Sequence, residues 1–195
     1  MTPRTVAVAI ALLVSALTAC RRDEPRPPVA RASAAAAVAS APQDTAFVGT
    51  TAPVHRARPI RPGVPPAMLR AVETSSEPGY DRVVFVFAGD SAPGYRVEYA
   101  SAPVRRCGSG DPVSLAGTQH VVVRFEPASA HDERGNPAPV ERDRALGLPA
   151  VREMKLVCDF EGQLEWVLGV AGASPYRVSE LTGPTRVVVD MRHRP

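Results

Sequence analysis

Leu17-Thr18-Ala19-Cys20 is the stretch of this chain with the most definite chemistry: a branched apolar residue, two small ones and a thiol. It closes an apolar run that begins at Val6 and follows Arg4, which is the layout of an export signal. The spacing is that of a lipobox. On that reading residues 1–19 are removed and Cys20, carrying fatty acids such as palmitate, becomes the first residue of the mature chain. The alternative is an ordinary secretory signal whose cleavage site includes a cysteine. A transmembrane anchor needs about 20 apolar residues, and this run is too short for it.

The other residues capable of chemistry are few. With Cys20 assigned to the lipid, Cys107 and Cys158 remain as an even pair, and outside the cytoplasm such a pair reads as a disulfide. Closing a loop of about 50 residues would stabilise the fold by roughly 4 kcal/mol. Two free thiols are the alternative. His55, His120, His131 and His193 are scattered and form no paired metal motif. Two cysteines without a nearby histidine fall short of a tetrahedral set. There is no HExxH and no G-x-S-x-G, so no catalytic residue, metal or cofactor is expected. Binding needs other parts: flat rings for sugar faces and guanidinium forks for carboxylates. Tyr80 and Arg82 at one strand start, and Tyr176 and Arg177 at another, are the candidates. Tyr95, Tyr99 and Trp166 fall on apolar faces and are assigned to the core.

The elements that position these residues follow from composition. From Cys20 to residue 66 the chain is rich in Ala, Pro, Arg, Ser and Thr, with Phe47 its one aromatic residue. Such a segment buries too little apolar surface to offset ordering entropy, so residues 20–66 read as a disordered tether. A loose coil of about 45 residues spans on the order of 35–40 Å. Before residue 66 there are eight arginines against Asp23, Glu24 and Asp44; beyond it seventeen acidic residues slightly outnumber fifteen basic ones. The basicity thus lies in the tether, where it suits anionic lipid headgroups. A nucleic-acid partner would want a basic face on the domain and is not expected.

Residues 67–195 read as short strands separated by turns. The strands are Ala67–Thr74, Arg82–Ala88, Tyr95–Tyr99, Gln119–Phe125, Val151–Cys158, Gln163–Val170, Tyr176–Leu181 and Arg186–Met191. Arg82–Ala88 is apolar on both faces, as a strand covered on both sides would be. Alternation puts Met154, Leu156 and Cys158 together. Pro and Gly mark the turns. About eight such strands argue a single antiparallel β-sandwich, all-β in class. The connection from Glu126 to Leu148 is polar and Pro-rich; loops of this length are either functional or mobile, and its composition favours mobility.

The blocks YDRVVFVFAG (Tyr80–Gly89), PGYRVEYA (Pro93–Ala100), LPAVREMKLVCDFEGQLEWVLGV (Leu148–Val170) and PYRVSELTGPTRVVVDMRH (Pro175–His193) closely resemble the AMIN-like domain. The resemblance covers residues 67–193. It implies a secreted or lipid-anchored envelope protein whose domain binds peptidoglycan or a wall-associated component. The competing expectation is a protein-interaction module, an accessory of an envelope machine, again without enzymatic activity. The residue after Cys20 is Arg21 rather than aspartate, which favours the outer membrane where a cell has two.

Overall fold

Tyr80–Phe87 shows how this sequence makes sheet. Asp81, Val83, Phe85 and Phe87 are buried, and the four residues that alternate with them are half-buried. That is the two-residue period of a strand with one face on a core. The expectation that this run is covered on both sides is therefore corrected: Val84 and Val86 lie half-buried on an outer face.

The computed structural model describes residues 47–101 and 103–195. The expected signal peptide (1–19), lipidated Cys20 and the first part of the tether lie outside the described residues. Within them are β1 (Val54–Arg56), β2 (Ala67–Glu77), β3 (Tyr80–Phe87), β4 (Gly94–Tyr99), β5 (Gln119–Glu126), β6 (Ala128–Ser129), β7 (Asp143–Ala145), β8 (Val151–Phe160), β9 (Gln163–Val170), β10 (Tyr176–Leu181) and β11 (Thr185–Arg192). They form two sheets, one ordered β1-β4-β5-β9-β8-β7 and the other β10-β11-β3-β2-β6. All eight expected strands are present. β1, β6 and β7 are additional, and the short β2–β6 pair is parallel, so the sheets are not wholly antiparallel.

The sheets pack face to face through rings. Phe125 meets Phe85 and Phe87 edge-on at 4.9 and 5.0 Å between centroids, and Trp166 lies 6.0 Å from Phe85. These are favourable offset geometries. Tyr95 and Trp166 are buried in this core as the alternation requires, and Tyr99 packs against it.

A second, smaller apolar cluster lies on the outer side of the six-stranded sheet. Val104, Val157 and Val167 are buried there beneath the segment that joins β4 to β5. Cys107 and Cys158 form a disulfide that pins this segment down, with Cα atoms 5.2 Å apart. Alternation alone puts Cys158 in the core beside Leu156. A bulge between Leu156 and Cys158 shifts the register, and Cys158 stands opposite Glu165 on the outer side.

The connection 126–148 is ordered rather than mobile. Its polar groups bond one another and the sheet: Asp159 accepts hydrogen bonds from the Ala130 N–H at 2.9 Å and lies 3.0 Å from the His131 ring nitrogen. The Asp132 carboxylate accepts from the N–H groups of Arg134 and Asn136 and from the Asn136 amide. Asn136 thereby holds the Asp132 carboxyl below its usual range. Paired polar groups of this kind order a loop that composition describes only as hydrophilic.

The ordered fold also starts before Ala67. Residues 47–58, expected in the tether, form a strap from one sheet to the other. Thr50 exchanges both backbone hydrogen bonds with Tyr176 on β10, at 2.8 and 2.9 Å. Val54–Arg56 then pairs with Tyr95–Val97 of β4 as an edge strand. Arg56 and Arg58 both reach the Glu180 carboxylate, at 3.1 and 2.9 Å.

Candidate functional site

Strand alternation on the outer face of the five-stranded sheet sets Arg82, Asp190 and Arg177 in one row. Arg82 opposes Asp190 across β3 and β11, and Asp190 opposes Arg177 across β11 and β10. Asp190 is buried between the two guanidinium groups. Arg82 holds it with two bonds, Nε to Oδ1 at 2.7 Å and Nη2 to Oδ2 at 3.0 Å. Arg177 Nε donates to Oδ2 at 2.8 Å. The hydrogen bond to Asp190 raises the Arg82 pKa above its ordinary value. Two cations share one anion, so the cluster keeps a net charge of about +1 in a partly exposed position.

Two rings orient the second cation. The Arg177 guanidinium carbon lies 4.5 Å from the Phe47 ring centroid and 4.8 Å from that of Tyr80. The rings stand side by side, 5.6 Å apart and tilted by 39°, as a shelf beneath it. Arg82 also lies over Tyr80, at 5.3 Å. With Nε fixed by Asp190 and the group resting on this shelf, the two Nη groups of Arg177 hydrogen-bond to nothing among the described residues. Its side chain is 34% exposed. This is a pre-oriented fork of the kind that takes a carboxylate bidentately.

Of the four residues expected from sequence, the structure brings together Tyr80, Arg82 and Arg177. Tyr176 is not one of them. Adjacent strand residues point to opposite faces, so Tyr176 enters the core when Arg177 faces out. Its hydroxyl oxygen lies 2.7 Å from the carbonyl oxygens of both Ala52 and Val97, so that its proton bridges the strap and β4. Burial pushes its pKa from 10.0 up to about 12. A proton held more tightly in the fold contributes stability that is intact below about pH 10 and lost as pH rises through 12. Burial also raises Tyr95 and Tyr99, so an ultraviolet titration should show the last tyrosine ionising near pH 12, together with unfolding, and Tyr176→Phe should lack that last phase. Ionisation of every tyrosine near pH 10 with the fold intact would contradict this placement.

Sequence reasoning missed Asp190 and Phe47. Asp190 could have been found as the one carboxylate in the apolar run of β11. Phe47 stood out as a lone ring in a segment with no apolar period, which gave no reason to place it on the domain.

Other concave regions suit an anionic ligand less well. A groove of about 1210 Å³ at one end of the sandwich has five carboxylates in its lining, Asp90, Asp132, Glu133, Glu161 and Glu180, against Arg58 and Arg61, and no Phe, Tyr or Trp. A shallower pocket of about 210 Å³ includes Arg96 and Arg124, which are committed to Glu98 and Glu165. Among the described residues no group of three or more His, Cys, Asp or Glu is placed to hold a metal ion.

A family model described as AMIN-like domain matches residues 67–193. The match contains Tyr80, Arg82, Arg177 and Asp190, while the strap and Phe47 precede it. No curated protein and no solved structure matches the chain.

Proposed function

Because the chain belongs to the AMIN-like domain family, whose members are generally peptidoglycan-binding or envelope-associated, we propose that it binds cell-wall peptidoglycan through the Arg177 fork. The stem peptides of that polymer carry carboxylates, and the fork is oriented for one. The observation that carries the reading is the pair of outward Nη groups, held by Asp190 on one side and by two rings beneath. The protein acts by binding, without chemistry. The anchor belongs to the same proposal: fatty acids on Cys20 hold the outer membrane, the tether crosses the gap, and the sandwich grips the wall.

Pull-down of the full chain with purified peptidoglycan sacculi tests it. A charge-assisted bidentate contact contributes about 1.5–3 kcal/mol. Arg177→Ala should therefore weaken retention at least about tenfold, and sacculi with amidated carboxyl groups should retain the wild type equally poorly. Undiminished retention of Arg177→Ala, or wild-type retention no better than that of an unrelated sandwich, removes the assignment. Radiolabelled palmitate failing to enter the wild-type chain removes the anchor.

A further inference from the structure

We infer that Phe47 is a positioning residue for the Arg177 fork, so that the strap carrying it is part of the binding site. The inference rests on the reading of Arg177 as the ligand contact and extends it to residues outside the matched domain.

Phe47 is only 7% exposed although it precedes the first strand by seven residues. Its neighbours hold it there. A Cβ on Gly49 would stand 2.7 Å from the Phe47 ring and 2.9 Å from the Tyr176 carbonyl oxygen, so only glycine lets the strap turn this closely over β10. Thr50 is bonded to Tyr176 in both directions, and the Ala52 carbonyl accepts from the Tyr176 hydroxyl. Three successive attachments thus fix the backbone just after the ring.

The ring matters because, among the described residues, Arg177 has a single side-chain hydrogen bond, from Nε to Asp190. That bond leaves the guanidinium free to pivot. The Phe47 and Tyr80 rings, both within 5 Å of its central carbon, remove that freedom through cation–π attraction. Phe47 makes the shorter of the two contacts. With Tyr80 alone the fork would spend more time turned from its bound orientation, and a ligand would lose affinity in proportion to the fraction correctly placed.

A linkage follows. The strap continues directly into the segment that leads toward Cys20. If docking of the strap improves ligand binding, ligand binding must stabilise the docked strap by the same factor. A load that pulled the strap off β10 and β4 would then loosen the grip on the wall.

The test separates position from packing. Phe47→Leu keeps an apolar side chain on the strap but has no ring face, while Phe47→Trp supplies a stronger one. In the full chain, Phe47→Leu should lower retention on sacculi about three- to tenfold with an unfolding midpoint close to wild type, and Phe47→Trp should restore it. The Arg177 Nε–H proton resonance should move when Phe47→Leu removes the ring current. Addition of sacculi should slow hydrogen exchange at the Thr50 amide. Wild-type retention by Phe47→Leu, while Arg177→Ala abolishes retention, overturns the role of Phe47 and leaves the Arg177 site standing. Equal retention by all variants overturns both.

Discussion

Replacing Asp81 by alanine is expected to lower stability by about 3–5 kcal/mol, a large share of what holds a domain of this size together. Asp81 is fully buried on the core face of β3, next to Val83. Its Oδ2 accepts the backbone N–H groups of Ala150 and Val151, at 2.6 and 2.9 Å, where β8 of the opposite sheet begins. Its Oδ1 lies 2.7 Å from His193 Nε2, just past β11, and accepts from the Ser76 hydroxyl on β2 at 3.0 Å. One carboxylate therefore ties both sheets and the C-terminal segment together. Alanine would leave two buried backbone donors without acceptors, each costing about 1–3 kcal/mol, together with an unpaired imidazole. Asparagine has the same shape, and its one oxygen can still serve Ala150 and Val151. Its amide then faces the His193 nitrogen as a donor, which suits only one imidazole tautomer. Asp81→Asn should cost less, about 1–2 kcal/mol. Urea unfolding of the three chains decides the matter. An Asp81→Ala midpoint equivalent to a loss under about 1 kcal/mol would show that the N–H groups find other partners.

The long strands of this fold could be read from the chain because each is a local run of apolar residues, most with a two-residue period. The core positions of β4, β5 and β9 follow from alternation in segments of six to eight residues, whereas β3 is apolar on both sides and its sequence does not say which face turns inward. What escaped depends on partners distant in sequence. β1 is three residues long and exists because the edge of β4 offers hydrogen bonds to it. The connection 126–148 is ordered by Asp159, which belongs to the strand after it. The bulge that turns Cys158 outward has no residue signature of its own. At the candidate site, Tyr80 and Arg82 are two apart and share a face. Tyr176 and Arg177 are adjacent and cannot, so half of that pairing was already excluded by the pleat. Asp190 converts the remaining arginines from solvated charges into an oriented pair, and nothing local to Arg82 or Arg177 announces it.

A chain beginning at Ala67, the boundary drawn from composition and the start of the family match, is expected to fold less stably and to self-associate. The largest single loss is Phe47, whose burial contributes about 1.5–3 kcal/mol. Removing the strap also takes the Val54 side chain off the core and the Ala52 carbonyl off the Tyr176 hydroxyl. The Arg56 and Arg58 pairs with Glu180 add little, since exposed ion pairs contribute about 0–1 kcal/mol each. Ordering the strap costs backbone entropy, which these contacts together must outweigh. The strap can be net stabilising only because its backbone bonds and buried ring act together. The second consequence is at the edge. Without β1, the N–H and C=O groups of β4 from Tyr95 to Val97 face solvent beside the buried Tyr95 and Val97 side chains. An uncovered edge of this kind recruits strands from other molecules. Sedimentation should show dimers or larger species for the chain from Ala67 and a single species for the full chain, and urea unfolding should show the lower midpoint. Identical midpoints with both chains monomeric would mean that the strap merely rests on β10 and β4, and that the domain begins where composition first placed its boundary.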